Sequence, residues 1–189
     1  MDLLEKIQCL PYDLKIEIDE ISNGWIELTL VSNYAFKKYA ASYLCDPIND
    51  LLVKYTLLNE RIPHEINPFR KIIDFAVIEH YLEGANIIWL LRRKEEDLYI
   101  YIWENVYELD DWLFAEFSEQ YYIDNFEEIP NLAKNLIFSL KGKMIDFAKT
   151  LIPTLDWLKE KGTELELTQD WGYKFSETDY QKIKTIVNA

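Results

Sequence analysis

Glycine is scarce, with five in 189 residues. That comes close to excluding the loops that cradle phosphate, which need several glycines where the backbone approaches the anion. Cysteine and histidine are scarcer, two of each. Cys9 and Cys45 form no Cys-x-x-Cys pair, and His64, between Pro63 and Pro68, stands well apart from His80, which follows Glu79. Spacing therefore draws neither a zinc site nor a histidine-based acid–base pair. Cys45 adjoins Asp46, whose carboxylate opposes a reactive thiolate there. No G-x-S-x-G, P-loop, G-x-G-x-x-G, H-E-x-x-H or EF-hand pattern occurs, and no cofactor is expected. Uncharged apolar runs never approach the roughly 18 residues of a spanning helix. The opening Met1-Asp2-Leu3-Leu4-Glu5-Lys6-Ile7 lacks the basic-then-apolar order of a signal peptide. The expected location is the cytoplasm, with both thiols reduced. Prolines and glycines are scattered and no repeat is visible, so residues 1–189 are expected to form one domain.

One absence is local. Residues 95–128 contain no Lys, Arg or His, against 12 acids and ten aromatics. The net charge of −14 is correspondingly uneven: residues 1–94 carry 14 acids and 11 bases, residues 95–189 carry 20 acids and 9 bases. Such a balance argues against nucleic acid and against anionic membranes as ligands, because both need a basic face. It favours a basic protein partner.

Alternation marks the first elements. Leu14, Ile16 and Ile18, then Ile26, Leu28 and Leu30, flank Ser22-Asn23-Gly24 and predict a hairpin. A two-residue Asn-Gly turn would set Ile18 opposite Thr29. A three-residue loop sets Ile18 opposite Leu28, and burial favours the second register, with Asp19 opposite Glu27 on the wet face. Residues 33–45 read as helix or strand equally well. Asp46-Pro47 predicts a helix start, followed by Ile48, Leu51, Leu52, Tyr55 and Leu58 on one stripe. Strands are expected near 74–82, 87–93 and 98–105, joined by Gly84-Ala85-Asn86 and Lys94-Glu95-Glu96-Asp97. In the last of them Leu98, Ile100 and Ile102 oppose Tyr99, Tyr101 and Trp103, so both faces are apolar, as in a central strand. Residues 110–117 fit helix or strand, with helix preferred. A 3.6-residue period from Pro130 to Leu151 predicts a helix that Pro153 breaks or kinks, with Gly162 ending its second piece. Ser176 and Asp179 predict the cap of a final helix, with Trp171, Tyr173 and Phe175 tucked in before it. The fold expected is α+β: an antiparallel sheet of about five strands, one helix after the hairpin, and C-terminal helices packed on the sheet.

Arg92, Arg93 and Lys94 precede Glu95-Glu96-Asp97, and a self-neutralising turn is favoured there over an anion-binding patch. The order of hairpin, Asp46-Pro47 helix with Leu51-Leu52, three-strand meander and C-terminal helices resembles that of small bacterial cytosolic proteins, some of them toxin-immunity proteins. That resemblance is one of element order; it transfers no residue role and implies a non-enzymatic inhibitor. From the residues themselves, Glu104 to Glu128 is the expected docking face, with Glu108, Asp110, Asp111, Glu116 and Glu119 supplying the field and Tyr107 and Trp112 the anchors. The alternative is a carboxylate-dependent hydrolase, metal-assisted or not, built from the same acids.

Overall fold

The alternating stretches fold as an antiparallel pair, β2 (Lys15–Ser22) and β3 (Trp25–Val31). The computed structural model describes residues 7–42, 46–60, 75–83, 85–106, 135–164 and 175–188. Asn23 and Gly24 both have positive φ, 51° and 81°, which is what a type I′ turn requires. Ser22 pairs with Trp25 and Ile21 with Ile26, so the three-residue loop expected from burial is corrected to a two-residue turn. Burial is satisfied by another device. A bulge between Ile18 and Glu20 removes Asp19 from the ladder and restores Ile18 opposite Leu28 and Ile16 opposite Leu30. Glu20, not Asp19, then faces Glu27. Asp19 accepts from the Thr29 hydroxyl at 2.7 Å and pairs with Lys38 at 3.1 Å. The Thr29 hydrogen bond, more than the lysine, holds its carboxyl below the usual range.

Residues left open by periodicity supply β4 (Phe36–Ser42), which completes a three-stranded sheet in the order β2-β3-β4. The larger sheet runs β1-β8-β7-β6-β5. Here β5 (Phe75–Leu82), β6 (Ala85–Lys94), β7 (Asp97–Val106) and β8 (Leu136–Lys143) are antiparallel, while β1 (Leu10–Pro11) lies parallel to β8. The expectation of one antiparallel sheet is therefore corrected twice: the hairpin belongs to its own sheet, and the five-stranded sheet is mixed. Ala85 and Asn86, expected in a loop, already pair with Leu82 and Tyr81. The position of β7 between β6 and β8, apolar on both faces, agrees with the expectation.

The helix expected from Pro130 to Leu151 is also corrected, because residues 136–143 are strand. Leu136, Leu140 and Met144 are four apart, a spacing that periods of 2 and 3.6 both accept. The free edge of β7 decides it, since its backbone groups need a partner. Helix α2 spans Met144–Glu164, running through Pro153 without a break and past Gly162. Helix α1 (Pro47–Glu60) starts as expected: Asp46 Oδ1 accepts from the backbone N–H of Asn49 at 3.1 Å. Helix α3 (Glu177–Asn188) is capped by Ser176, whose Oγ accepts from the Asp179 N–H and donates to its carboxylate at 2.7 Å. The Phe175 ring lies 5.5 Å from that of Tyr180. Cys45, His64, residues 110–117, Trp171 and Tyr173 lie outside the described residues.

One apolar cluster joins Leu28 and Leu30 of the small sheet to Trp89 and Ile100 of the large one. Leu51 and Tyr55 of α1, Phe147 and Leu151 of α2, and Ile183 of α3 complete it. Polar ties fix the layers. Thr150 and Thr154, one turn apart on α2, donate to the carbonyls of Leu14 (3.1 Å) and Ile16 (2.6 Å), so the helix covers the outer edge of β2.

Asp46 caps α1 at a cost. It is buried, and that burial, opposed by its bonds to Asn49, pushes its carboxyl up to about 6. A group whose native pKa is raised destabilises the fold once pH exceeds its ordinary value. Asn caps a helix as well as Asp does and carries no charge. Asp46→Asn is therefore expected to stabilise the protein by about 2 kcal/mol at about pH 8, with the gain vanishing below about pH 4. Urea melts at the two pH values check this, and an equal gain at both would refute the buried-charge account.

Candidate functional site

Tyr107, Glu108, Asp110, Asp111, Trp112, Glu116 and Glu119 lie outside the described residues. The structure does describe the upstream part of the acidic segment, and there Glu96, Asp97 and Glu104 are matched. Glu96 lies 3.2 Å from Arg93, Glu104 lies 2.7 Å from Lys37 of β4, and Asp97 pairs with Lys141 at 3.0 Å and with Lys143. Hydrogen bonds from Lys143 and then Lys141 hold the Asp97 carboxyl below the usual range. In the described part of that stretch, Glu96, Asp97 and Glu104 are thus met in space by bases from three other strands.

The triplet Arg92-Arg93-Lys94 does not behave as one turn, because alternation along β6 divides it. Arg93 points toward α1 and donates to the carbonyls of Leu58 (3.0 Å) and Asn59 (2.8 Å). Arg92 and Lys94 project from the opposite face of the sheet, which carries its own apolar cluster of Val77, Ile88, Leu90, Tyr101 and Trp103. Register sets three rows on that face. Leu90, Tyr101 and Ser139 form the first, Arg92, Tyr99 and Lys141 the second, and Lys94, Asp97 and Lys143 the third.

In the middle row Tyr99 stands between cations. Lys141 Nζ lies 5.0 Å and Lys94 Nζ 5.7 Å from its ring centroid, inside the range of cation–π attraction. Bonds to Tyr99 and Asp97 raise the Lys141 ammonium above its ordinary value, so it stays charged. A cavity of about 270 Å³ opens here, lined by Ile7, Cys9, Arg92, Lys94, Tyr99, Tyr101 and Lys141. Cys9 is a free thiol. Ser139 Oγ donates to its sulfur at 3.3 Å, and the sulfur lies 3.6 Å from the Tyr101 hydroxyl. Burial, then the Cys9 contact, raises the pKa of that hydroxyl. No reading of the sequence brought these groups together. The Arg92–Tyr99 pair follows from the short β6–β7 turn, but Lys141 joins it only once residues 136–143 are strand.

His80 belongs to the opposite, core face. It is fully buried, with the Tyr39 hydroxyl 2.7 Å from Nδ1 and the Trp89 ring centroid 5.8 Å away. Burial pushes its pKa down to about 3, so the ring is neutral and structural rather than an acid–base group facing solvent. Among the described residues no cluster of three His, Cys, Asp or Glu is placed to hold a metal ion. None of the described helices is long and apolar enough to cross a membrane.

No protein-family model matches the chain, and no curated protein matches it. A solved structure, the CdiA-CT/CdiI toxin and immunity complex from Enterobacter cloacae, contains a chain with which this one shares 13% identity and a TM-score of 0.40. The likeness covers 74% of this chain and 95% of that one. At that distance it assigns neither family nor role.

Proposed function

We propose that this protein is a non-enzymatic binding protein of the immunity or antitoxin kind, which docks a basic protein through the acids and aromatics of residues 104–128. The observation that carries the reading is the charge distribution. Residues 108–128 hold eight acids and no base, whereas Glu96, Asp97 and Glu104 just upstream are each met by a lysine or arginine. Like charge without compensation destabilises a folded chain, and a basic partner would relieve that cost while its field speeds encounter. Trp112 and Tyr107 would supply the apolar contact that charge alone cannot.

The test begins with the partner captured from the native source and uses surface plasmon resonance at low and high salt. Reversing Asp110 and Asp111 to lysine should slow association and flatten its salt dependence. Trp112→Ala should cost about 2 kcal/mol, seen mainly as faster dissociation. Unchanged kinetics in both variants, with circular dichroism intact, would reduce the segment to a solvated surface. A rise of several degrees in melting temperature with micromolar Mg²⁺ or Mn²⁺, lost on removing Asp110 and Glu116, would instead favour a metal-assisted hydrolase.

A further inference from the structure

Two large rings stand in solvent at one end of the small sheet: Phe36 is 64% exposed and Tyr34 52%. Both sit where β3 turns into β4, and hydrogen bonds fix that turn. Ser32 Oγ accepts from the N–H groups of Tyr34 and Ala35, each at 3.1 Å. The Ser32 N–H donates to the Ala35 carbonyl at 2.9 Å, and the Asn33 N–H to Asp13 at 2.7 Å. Register puts Phe36 on the outer face of the sheet, in a row with Val31 and Lys15. The next rows hold Glu17, Thr29 and Lys38, then Glu20, Glu27 and Ala40. Asp19, bulged from the ladder, joins this face through its bonds to Thr29 and Lys38. We propose that this outer face docks a basic segment of another protein, whose arginines meet Glu17, Glu20 and the two rings while an apolar side chain covers Phe36 and Val31.

Charge selects the occupant. The face carries four acids, Glu17, Asp19, Glu20 and Glu27, against two bases, Lys15 and Lys38. Lys38 serves two of the acids, lying 3.1 Å from Asp19 and 2.9 Å from Glu27. Among the described residues Glu17 and Glu20 have no ion-pair partner, and both are exposed. A basic segment therefore meets a complementary field that speeds encounter. A second copy of this chain would bring the same acids and a net charge of −14, so like charge opposes it. The exposed rings supply what the carboxylates cannot: apolar area, and faces on which a guanidinium stacks. Because the turn beneath them is already hydrogen-bonded, little backbone entropy is lost on docking. The argument uses only residues of the small sheet and its turn, so it does not rest on the acidic segment 104–128.

The experiment is an amide NMR titration of the full chain at low salt with a nonapeptide alternating arginine and leucine. Peptides with glutamine or glutamate in place of arginine are the controls. The arginine peptide should give saturable shifts at residues 17, 20, 27, 34 and 36, and neither control should. Glu17→Lys and Glu20→Lys together should weaken that titration about tenfold, since two exposed attractions become repulsions. Phe36→Ser should weaken it by a similar factor. If Phe36→Ser disturbs β4, Tyr34→Ser reads the same contact. Added salt should weaken binding too. Equal shifts from the glutamine peptide, arginine-peptide shifts that miss the small sheet, or indifference to these variants would overturn the proposal. Shifts at residues 34 and 36 on concentrating the protein alone would overturn it as well, because they mark a second copy as the occupant. The Asp110→Lys, Asp111→Lys variant should still bind the arginine peptide at the small sheet, so the two readings stand or fall separately.

Discussion

Truncating Arg93 to alanine is expected to lower the unfolding free energy by about 3 kcal/mol, a large effect for a residue carrying no assigned activity. Its side chain is only 9% exposed. One Nη donates to the carbonyls of Leu58 and Asn59, Nε donates to the Glu95 carbonyl at 2.6 Å, and the second Nη meets Glu96. The last carbonyls of a helix have no partner within it and carry the negative end of its dipole. Helix α1 has no basic residue in its own last turn, so a strand supplies the cap. Alanine would leave those carbonyls partly buried and unpaired. Arg93→Lys keeps the charge but not the fork and should recover about half the loss. Urea denaturation with an unchanged slope measures both variants. A loss below about 1 kcal/mol for alanine would mean that water replaces the guanidinium at little cost.

Acidification is expected to have an effect of similar size, centred on His80. Its native pKa of about 3 lies well below the ordinary 6.5. Between those values the unfolded chain binds a proton that the native ring refuses, so stability rises with pH across the window and falls as pH is lowered. From about pH 6.5 down to about pH 4 the loss attributable to His80 is about 3 kcal/mol. Asp46 works in the other direction. Its raised carboxyl takes up a proton in the native state between its ordinary 3.8 and about 6, which supports the fold as pH falls through the same range. The wild-type acid limb is thus a difference between two opposed titrations. Asp46→Asn should steepen it. His80→Gln, which keeps a neutral partner for Tyr39, should flatten it, although at neutral pH that variant is less stable. An acid limb unaltered by His80→Gln would show that exposed carboxylates, not this histidine, govern acid unfolding.

Local chemistry was legible in the sequence. The Asp46 and Ser176 caps need only a side chain and an amide three residues on, and both are found. The Asn-Gly turn and the burial of Ile18 were read as rivals, yet the chain satisfies both with one bulged residue, Asp19. Alternation could not foresee that, because a bulge obeys neither period. Residues 136–143 were misread because their apolar spacing of four is shared by helix and strand, and only the open edge of β7 separates the two. The charge pairs were hidden for the same reason. That Lys37 meets Glu104, or that Lys141 meets Asp97, follows from strand order and not from distance along the chain. Of the proposed docking residues, sequence alone supplies the count and the composition.

The parallel pairing of Leu10 with Leu140 also imposes a schedule on the chain. At a synthesis rate of roughly 5 to 20 residues per second, the partner of β1 is made on the order of ten seconds after β1 itself. During that interval the two-residue strand has nothing to pair with, and the Cys9 thiol next to it lacks the Ser139 hydroxyl that later meets it. The small sheet, whose three strands all lie within residues 15–42, can close long before. The small sheet can therefore close well before the large one, whose edge strand β1 waits for β8, and until β8 arrives Cys9 is without its Ser139 contact.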